Sequence, residues 1–248
     1  MRARSRKFSW YLTWAIIDIV VIAILSCFVL SLPIWRIHKV EVKGAVYIPQ
    51  GKIKGLARVP MNENIFMLDP AEIKERFAKT VQIKDLHIKR KLPGTVVIEI
   101  KERRPFAIVN IGSTPAIMDN EGYIIAKSGL SSSIYRADLG KLPVIRGVGR
   151  NVLDKNGRLL PTETMFIDQT IILLSSFLDI GSVQIELSDR DNVSVYIEDI
   201  LRVKIGNYDK IEKKIGVLKA LLIPAKEKLE KVAYIDVRVP DDPVIRFR

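Results

Sequence analysis

The spacing of apolar and polar residues changes several times along the chain, and each change predicts an element. From Phe8 to Trp35 there is no period at all: the run is almost wholly apolar, with Asp18 its only charged side chain. Its centre, Ala15 to Leu32, matches a bilayer-crossing helix at about 1.5 Å of rise per residue. Ile37 to Val42 then alternates strictly and stops at Lys43-Gly44, the pattern of a strand. A short amphipathic helix is expected over 49–58, with Ile53, Leu56 and Ala57 inward. Asp69 can cap a second helix that opens with Pro70 and carries Ile73 and Phe77 on one face. A hairpin follows, in which Leu86 and Ile88 alternate with Asp85, His87 and Lys89, and Val96, Ile98 and Ile100 oppose Val97, Glu99 and Lys101. Leu92-Pro93-Gly94-Thr95 predicts the reversal, with the fixed φ of proline second and a glycine at positive φ third. The order strand, helix, helix, strand, strand makes a three-stranded sheet covered on one face by two helices.

Pro105 lacks an amide hydrogen and ends this first unit; the charges of Glu102-Arg103-Arg104 before it are expected to lie on a solvated edge that discourages aggregation. Beyond it, strands are predicted over 106–109 and 123–126, with a turn at Asp119-Asn120-Glu121-Gly122 and a loop over 128–141. Pro161-Thr162-Glu163 opens a helix with Ile167, Ile171, Leu174 and Phe177 or Leu178 inward, ended by Gly181. Three strands with a clean period of two follow over 183–187, 193–197 and 201–205. A helix with Ile211, Ile215, Leu218 and Leu222 on one face is stopped by Pro224, and strands over 232–239 and 244–247 close the chain. The fold class is α+β, with no internal repeat.

Length and composition allow one large or two modest domains: 248 residues, 48% apolar and 27% charged, which excludes a disordered tail. The net charge of +12 implies an anionic partner, and topology chooses among the candidates. Arg2, Arg4, Arg6 and Lys7 precede the apolar run, which places the N-terminus in the cytoplasm and everything after Arg36 outside. Trp10, Tyr11 and Trp14 suit the inner interface and Trp35 the outer one. With the basic bulk outside, nucleic acid is not an expected partner, and anionic lipid or wall polymer is. The run is longer than the apolar region of a cleaved signal and lacks a small-x-small site, so retention is expected. Cys27, the only cysteine, follows Ile24-Leu25-Ser26, a faint lipoprotein box, but the apolar run continues past it and a small apolar role in lipid is the expectation. Asp18 is either a membrane-helix contact or a shallow residue, one turn past Trp14, that water can reach.

Catalytic signatures are missing. The two histidines, His38 and His87, are far apart, so no metal centre is expected. There is no Ser-x-x-Lys, Gly-x-Ser-x-Gly or Gly-x-x-x-x-Gly-Lys, which weakens acyl-transfer and nucleotide chemistry. Glu186, Asp189 and Asp191 cluster at a turn, where solvation is the expectation over acid–base catalysis. No cofactor is implied, and binding at a sheet edge is the better hypothesis.

Several ordered segments resemble the FtsQ/DivIB bacterial cell-division proteins: residues 37–44 (IHKVEVKG), 63–69 (ENIFMLD), 97–107 (VIEIKERRPFA), 118–122 (MDNEG), 142–145 (LPVI) and 234–238 (YIDVR). The resemblance covers nearly the whole chain. It implies a cytoplasmic tail at 1–13, a single transmembrane helix at 14–35, a POTRA domain at 36–105 and an extracytoplasmic β domain at 106–248. The implied location is the plasma (inner) membrane at the division septum. It further implies a non-enzymatic divisome scaffold that recruits small bitopic coiled-coil division proteins of the FtsB/DivIC and FtsL type. Other divisome membrane proteins would meet the POTRA domain. Partner-binding candidates are Tyr234, Asp236, Arg238, Val244 and Phe247, with the preceding helix beside them; the competing reading is that Ile235, Val237 and Val239 are core and their alternates merely exposed. A POTRA-type transport or assembly module and a membrane-anchored wall hydrolase are the alternatives. No long tail follows the last strand, so no tail-borne function is expected.

Overall fold

An unbroken helix, α1, runs from Ala3 to Ser31. It belongs to a computed structural model that describes residues 3–127, 135, 138–149, 152–179, 183–225 and 231–248 and divides into two units after Lys101. The apolar stretch Trp14–Ser31 has no buried residue and is long and apolar enough to cross a membrane. Trp10 and Trp14 lie 5.9 Å apart between ring centroids.

The rest of the first unit follows the expected POTRA order: β1 (Lys39–Lys43), α2 (Gln50–Ala57), α3 (Pro70–Phe77), β2 (Ile83–Lys91) and β3 (Thr95–Glu102). The strands form one sheet in the order β1-β3-β2, with β1 parallel to β3. Asp69 Oδ1 accepts from the amide of Ala71 at 2.8 Å, the expected cap. Ile53, Ala57, Ile73 and Phe77 from the helices meet Val42, Val96, Ile98 and Ile100 from the sheet in one core. Arg76 of α3 donates to the carbonyl of Ala57 at 2.6 Å, satisfying an orphan acceptor at the end of α2 and tying the two helices together.

The hairpin turn differs from expectation. The Leu92–Pro93 peptide is cis, and Gly94 is not in the left-handed region. Gly94 is required for space instead: a Cβ there would lie 2.2 Å from the carbonyl oxygen of Arg36 and 2.4 Å from Nδ1 of His38.

Among the described residues, the second unit holds nine strands in one sheet, ordered β12-β11-β10-β9-β8-β7-β4-β5-β6. They are β4 (Ala107–Ile111), β5 (Thr114–Met118), β6 (Ile124–Lys127), β7 (Val144–Val148), β8 (Val183–Glu186), β9 (Val193–Ile197), β10 (Leu201–Gly206), β11 (Val232–Asp236) and β12 (Val244–Phe247). Helix α4 (Pro161–Ser175) connects the parallel pair β7 and β8, and α5 (Ile211–Ala225) connects the parallel pair β10 and β11. Parallel neighbours need such crossovers. The inward residues of both helices join Val183, Ile185, Val195, Val203 and Ile235 in a single core. Strands β5 and β7 are additions to the expected set. Helix α5 continues through Pro224, where a stop was expected, to Ala225, the last described residue before 231. Helix α4 ends at Ser175, short of the stop expected at Gly181, and Phe177 and Leu178 pack partly buried on the core from the turn after it; most of the 128–141 loop lies outside the described residues.

The expected solvated edge before Pro105 is corrected. Arg104 is exposed, but Glu102 is buried and the Arg103 side chain is only 10% exposed. Arg103 Nη1 donates to Asp119 Oδ2 at 2.6 Å and to Glu121 Oε2 at 2.7 Å, and its guanidinium lies 3.7 Å above the Tyr123 ring. Asp119 Oδ1 in turn accepts from the amides of Glu121 and Tyr123 at 3.0 and 2.8 Å, closing the predicted turn. Burial alone would lower the Arg103 pKa, but the hydrogen bonds and charges of Glu121 and Asp119 raise it.

Candidate functional site

Strand β12 ends the large sheet. On one side it pairs antiparallel with β11, Val232 opposite Phe247, Tyr234 opposite Arg246, Ile235 opposite Ile245 and Asp236 opposite Val244. Its other side meets no strand among the described residues. Ile245 packs against the core, whereas Val244 and Phe247 are 50% and 63% exposed. Ile245 ties the strand to the core; Val244 and Phe247, three residues apart, point to opposite faces, and both stay exposed because no strand covers β12 beyond them among the described residues.

The remaining candidates gather beside this edge on the sheet face that carries the alternates to the core residues. Tyr234 is half-buried, with Lys204 Nζ 4.0 Å from its ring centroid. Asp236 Oδ1 accepts from the amide of Arg238 at 3.1 Å, and the Arg238 guanidinium donates to both carboxylate oxygens at 2.7–3.0 Å. Burial pushes the Asp236 carboxyl up, but the hydrogen bonds and charge of Arg238, helped by Lys204, hold it below its ordinary value. The Arg238 stem crosses Gly206, where an added Cβ would approach Arg238 Cγ to 2.9 Å. Gly206 sits at φ +75°, so the crossing depends on glycine twice over.

The candidates thus separate into an open edge, Val244 and Phe247, and an internally paired cluster, Tyr234, Asp236 and Arg238. The expectation that Ile235 and Val237 are core is met, while Val239 is exposed. Arg202 and Lys204 are additions: with Asn192, Val193, Ser194 and Arg238 they line a shallow cleft of about 220 Å³. The period of two already put both on the outer face of β10. That β10 lies between β9 and parallel β11 was not readable, because pairing order leaves no local signal. Lys213 of α5 bonds Asp241 at 2.5 Å and so fixes the turn between β11 and β12.

Asp18 is exposed on α1. Asp189 accepts from Asn192 Nδ2 at 2.6 Å and from the Asp191 amide at 2.9 Å, which lowers its pKa; it closes a turn and has none of the raised pKa of a general acid. His87 pairs with Asp85 at 3.0 Å, and no group of three metal-ligating side chains occurs among the described residues.

Two family models match the chain. Residues 35–103 match the POTRA domain of FtsQ type, and residues 107–238 match the C-terminal domain of the cell division protein FtsQ/DivIB. The chain belongs to the FtsQ/DivIB family. Cell division protein DivIB of Clostridium botulinum is 27% identical over 235 residues, covering 92% of this chain and 88% of that protein. Cell division protein FtsQ of Syntrophotalea carbinolica is 24% identical over 246 residues, covering 95% and 83%. Among solved structures, the major extracytoplasmic domain of DivIB from Geobacillus stearothermophilus, described as a trans isomer, covers 52% of this chain and 98% of its own at 16% identity and a TM-score of 0.29. FtsQ/DivIB membership makes this a cell-division protein; Tyr234, Asp236 and Arg238 fall within the residues matched to the C-terminal domain, and β12 follows them.

Proposed function

We propose that this protein is a non-enzymatic scaffold of the divisome. It is held in the plasma membrane by α1 with its N-terminus in the cytoplasm, and it recruits small bitopic coiled-coil proteins of the FtsB/DivIC and FtsL type along β12. The observation that carries the reading is the outer edge of β12, which meets no further strand among the described residues and carries exposed Val244 and Phe247. A partner strand laid there gains main-chain hydrogen bonds from the edge and selectivity from the alternating side chains. The Asp236–Arg238 pair serves this arrangement from behind, holding the end of β11 and, through Gly206, the end of β10 in one geometry. Pre-setting the edge lowers the ordering entropy of binding. Other divisome membrane proteins are assigned to the POTRA unit, and the basic charge to lipid or wall polymer.

The test is the affinity of the full chain in lipid nanodiscs for the outer segments of the coiled-coil partners. Phe247→Ala weakens binding by about tenfold or more, as expected for an aromatic anchor of an interface. Met165→Ala, an exposed apolar truncation on α4, leaves it unchanged. Equal binding by the Phe247 variant and the parent overturns the assignment of the edge.

A further inference from the structure

The POTRA unit is fastened to the end of α1 by more than the covalent chain. Helix termini leave their last carbonyls without intrahelical partners, and near the hydrocarbon such groups need donors from the protein. Asn64, in the loop between α2 and α3, donates its side-chain amide to the carbonyl of Leu30 at 2.7 Å, and the Trp35 indole donates to that of Val29 at 2.7 Å. Backbone bonds bind the same loop to the segment leaving the helix: Ile65 N to Trp35 O, Ile37 N to Glu63 O and Asn62 N to Ile37 O, each at 2.8 Å. The hairpin tip comes to this end as well, since His38 N donates to Gly94 O at 3.0 Å and Arg90 donates to Leu68 O at 2.7 Å.

What these bonds carry to the helix end is apolar and exposed. Met67 is 81% exposed, Phe66 stands in edge contact with Trp35 at 5.4 Å, and Leu92 tips the hairpin. Arg36, Arg90 and Lys91 outnumber Glu63 and Asp69 in the same segments, and all five are exposed. Aromatic and apolar tips ringed by cations suit the headgroup–acyl boundary. We infer that the loop tip at Phe66 and Met67 and the hairpin tip at Leu92 dip into the outer leaflet, so that the bilayer itself is a docking surface of the POTRA unit and fixes its orientation. The inference rests on α1 spanning that bilayer, and continuity with the span selects the same lipid surface as occupant.

Spin labels in the full chain reconstituted in liposomes test it, with depth read from accessibility to oxygen, which favours hydrocarbon, against a water-soluble nickel chelate. Cys27 labelled in the parent reports the span. In a Cys27→Ser background, Met67→Cys and Leu92→Cys report the two tips. Val46→Cys is the aqueous control, because Val46 is 75% exposed beyond the far end of β1. The expected result is a deep Cys27 label, Met67 and Leu92 labels about 5–10 Å inside the boundary, and a water-like Val46 label. A deep Cys27 label with Met67 and Leu92 as nickel-accessible as Val46 overturns the inference and leaves the span standing. A water-like Cys27 label overturns both. All three substituted tip and control positions are exposed, so none disturbs the core.

Discussion

At the scale of single residues, the chain places charge where the surrounding pattern predicts water. Arg103 lies in a run that reads as solvated, yet it stands between Asp119, Glu121 and the face of Tyr123. Asp119 is 2% exposed, so removing the cation leaves a nearly dry carboxylate. Breaking such a pair from one side destabilises by about 3–5 kcal/mol. Arg103→Met should therefore lower stability by that order in chemical denaturation. Arg103→Lys should restore only part of it, since an ammonium cannot accept the flat stacking on Tyr123 while reaching two acids. A second dry site lies on α4, where fully buried Glu163 pairs with Arg190, near Tyr208, which stacks on Phe166 at 4.1 Å. Burial, with the charge of Glu163 and against that of Arg190, pushes the Tyr208 hydroxyl up to about 12 from 10.0. The folded state favours the neutral phenol, so this contribution is complete below pH 10 and is lost as pH rises toward 12. Tyr208→Phe should lose stability less steeply than the parent over that interval; parallel slopes would show that the site does not feel folding.

At the scale of elements, legibility followed local signal. Asp69-Pro70, the Ile73–Phe77 face and the alternation of Val96, Ile98 and Ile100 each act within a few residues, and those elements stand where expected. Strand β5 escaped because Pro115 interrupts it, and β7 because Val144 to Val148 is short and broken by Gly147. The turn pattern predicts Gly94 for its φ, whereas its role is the approach of Arg36 and His38, a contact set by the fold rather than by the turn. For the same reason the candidate edge was only half legible. Val244 follows from alternation, but the exposure of Phe247, which shares a face with Ile245, depends on β12 ending the sheet, and Lys204 over Tyr234 and the Arg238 crossing at Gly206 depend on β10 lying beside β11.

At the scale of the whole molecule, the proposed scaffold works by proximity, joining an apolar helix, a POTRA unit and a sheet with an open terminal edge in one chain. An anchor that confines partners to one surface raises their effective concentration without any further contact, so an edge of modest affinity suffices. The most direct test is hydrogen–deuterium exchange of the full chain in nanodiscs, with and without a coiled-coil partner's outer segment. Strand addition predicts that the backbone amides of residues 244–247 exchange more slowly in the complex, as new main-chain hydrogen bonds cover them. Partner-dependent protection that appears elsewhere while residues 244–247 exchange as in the free protein would contradict the account.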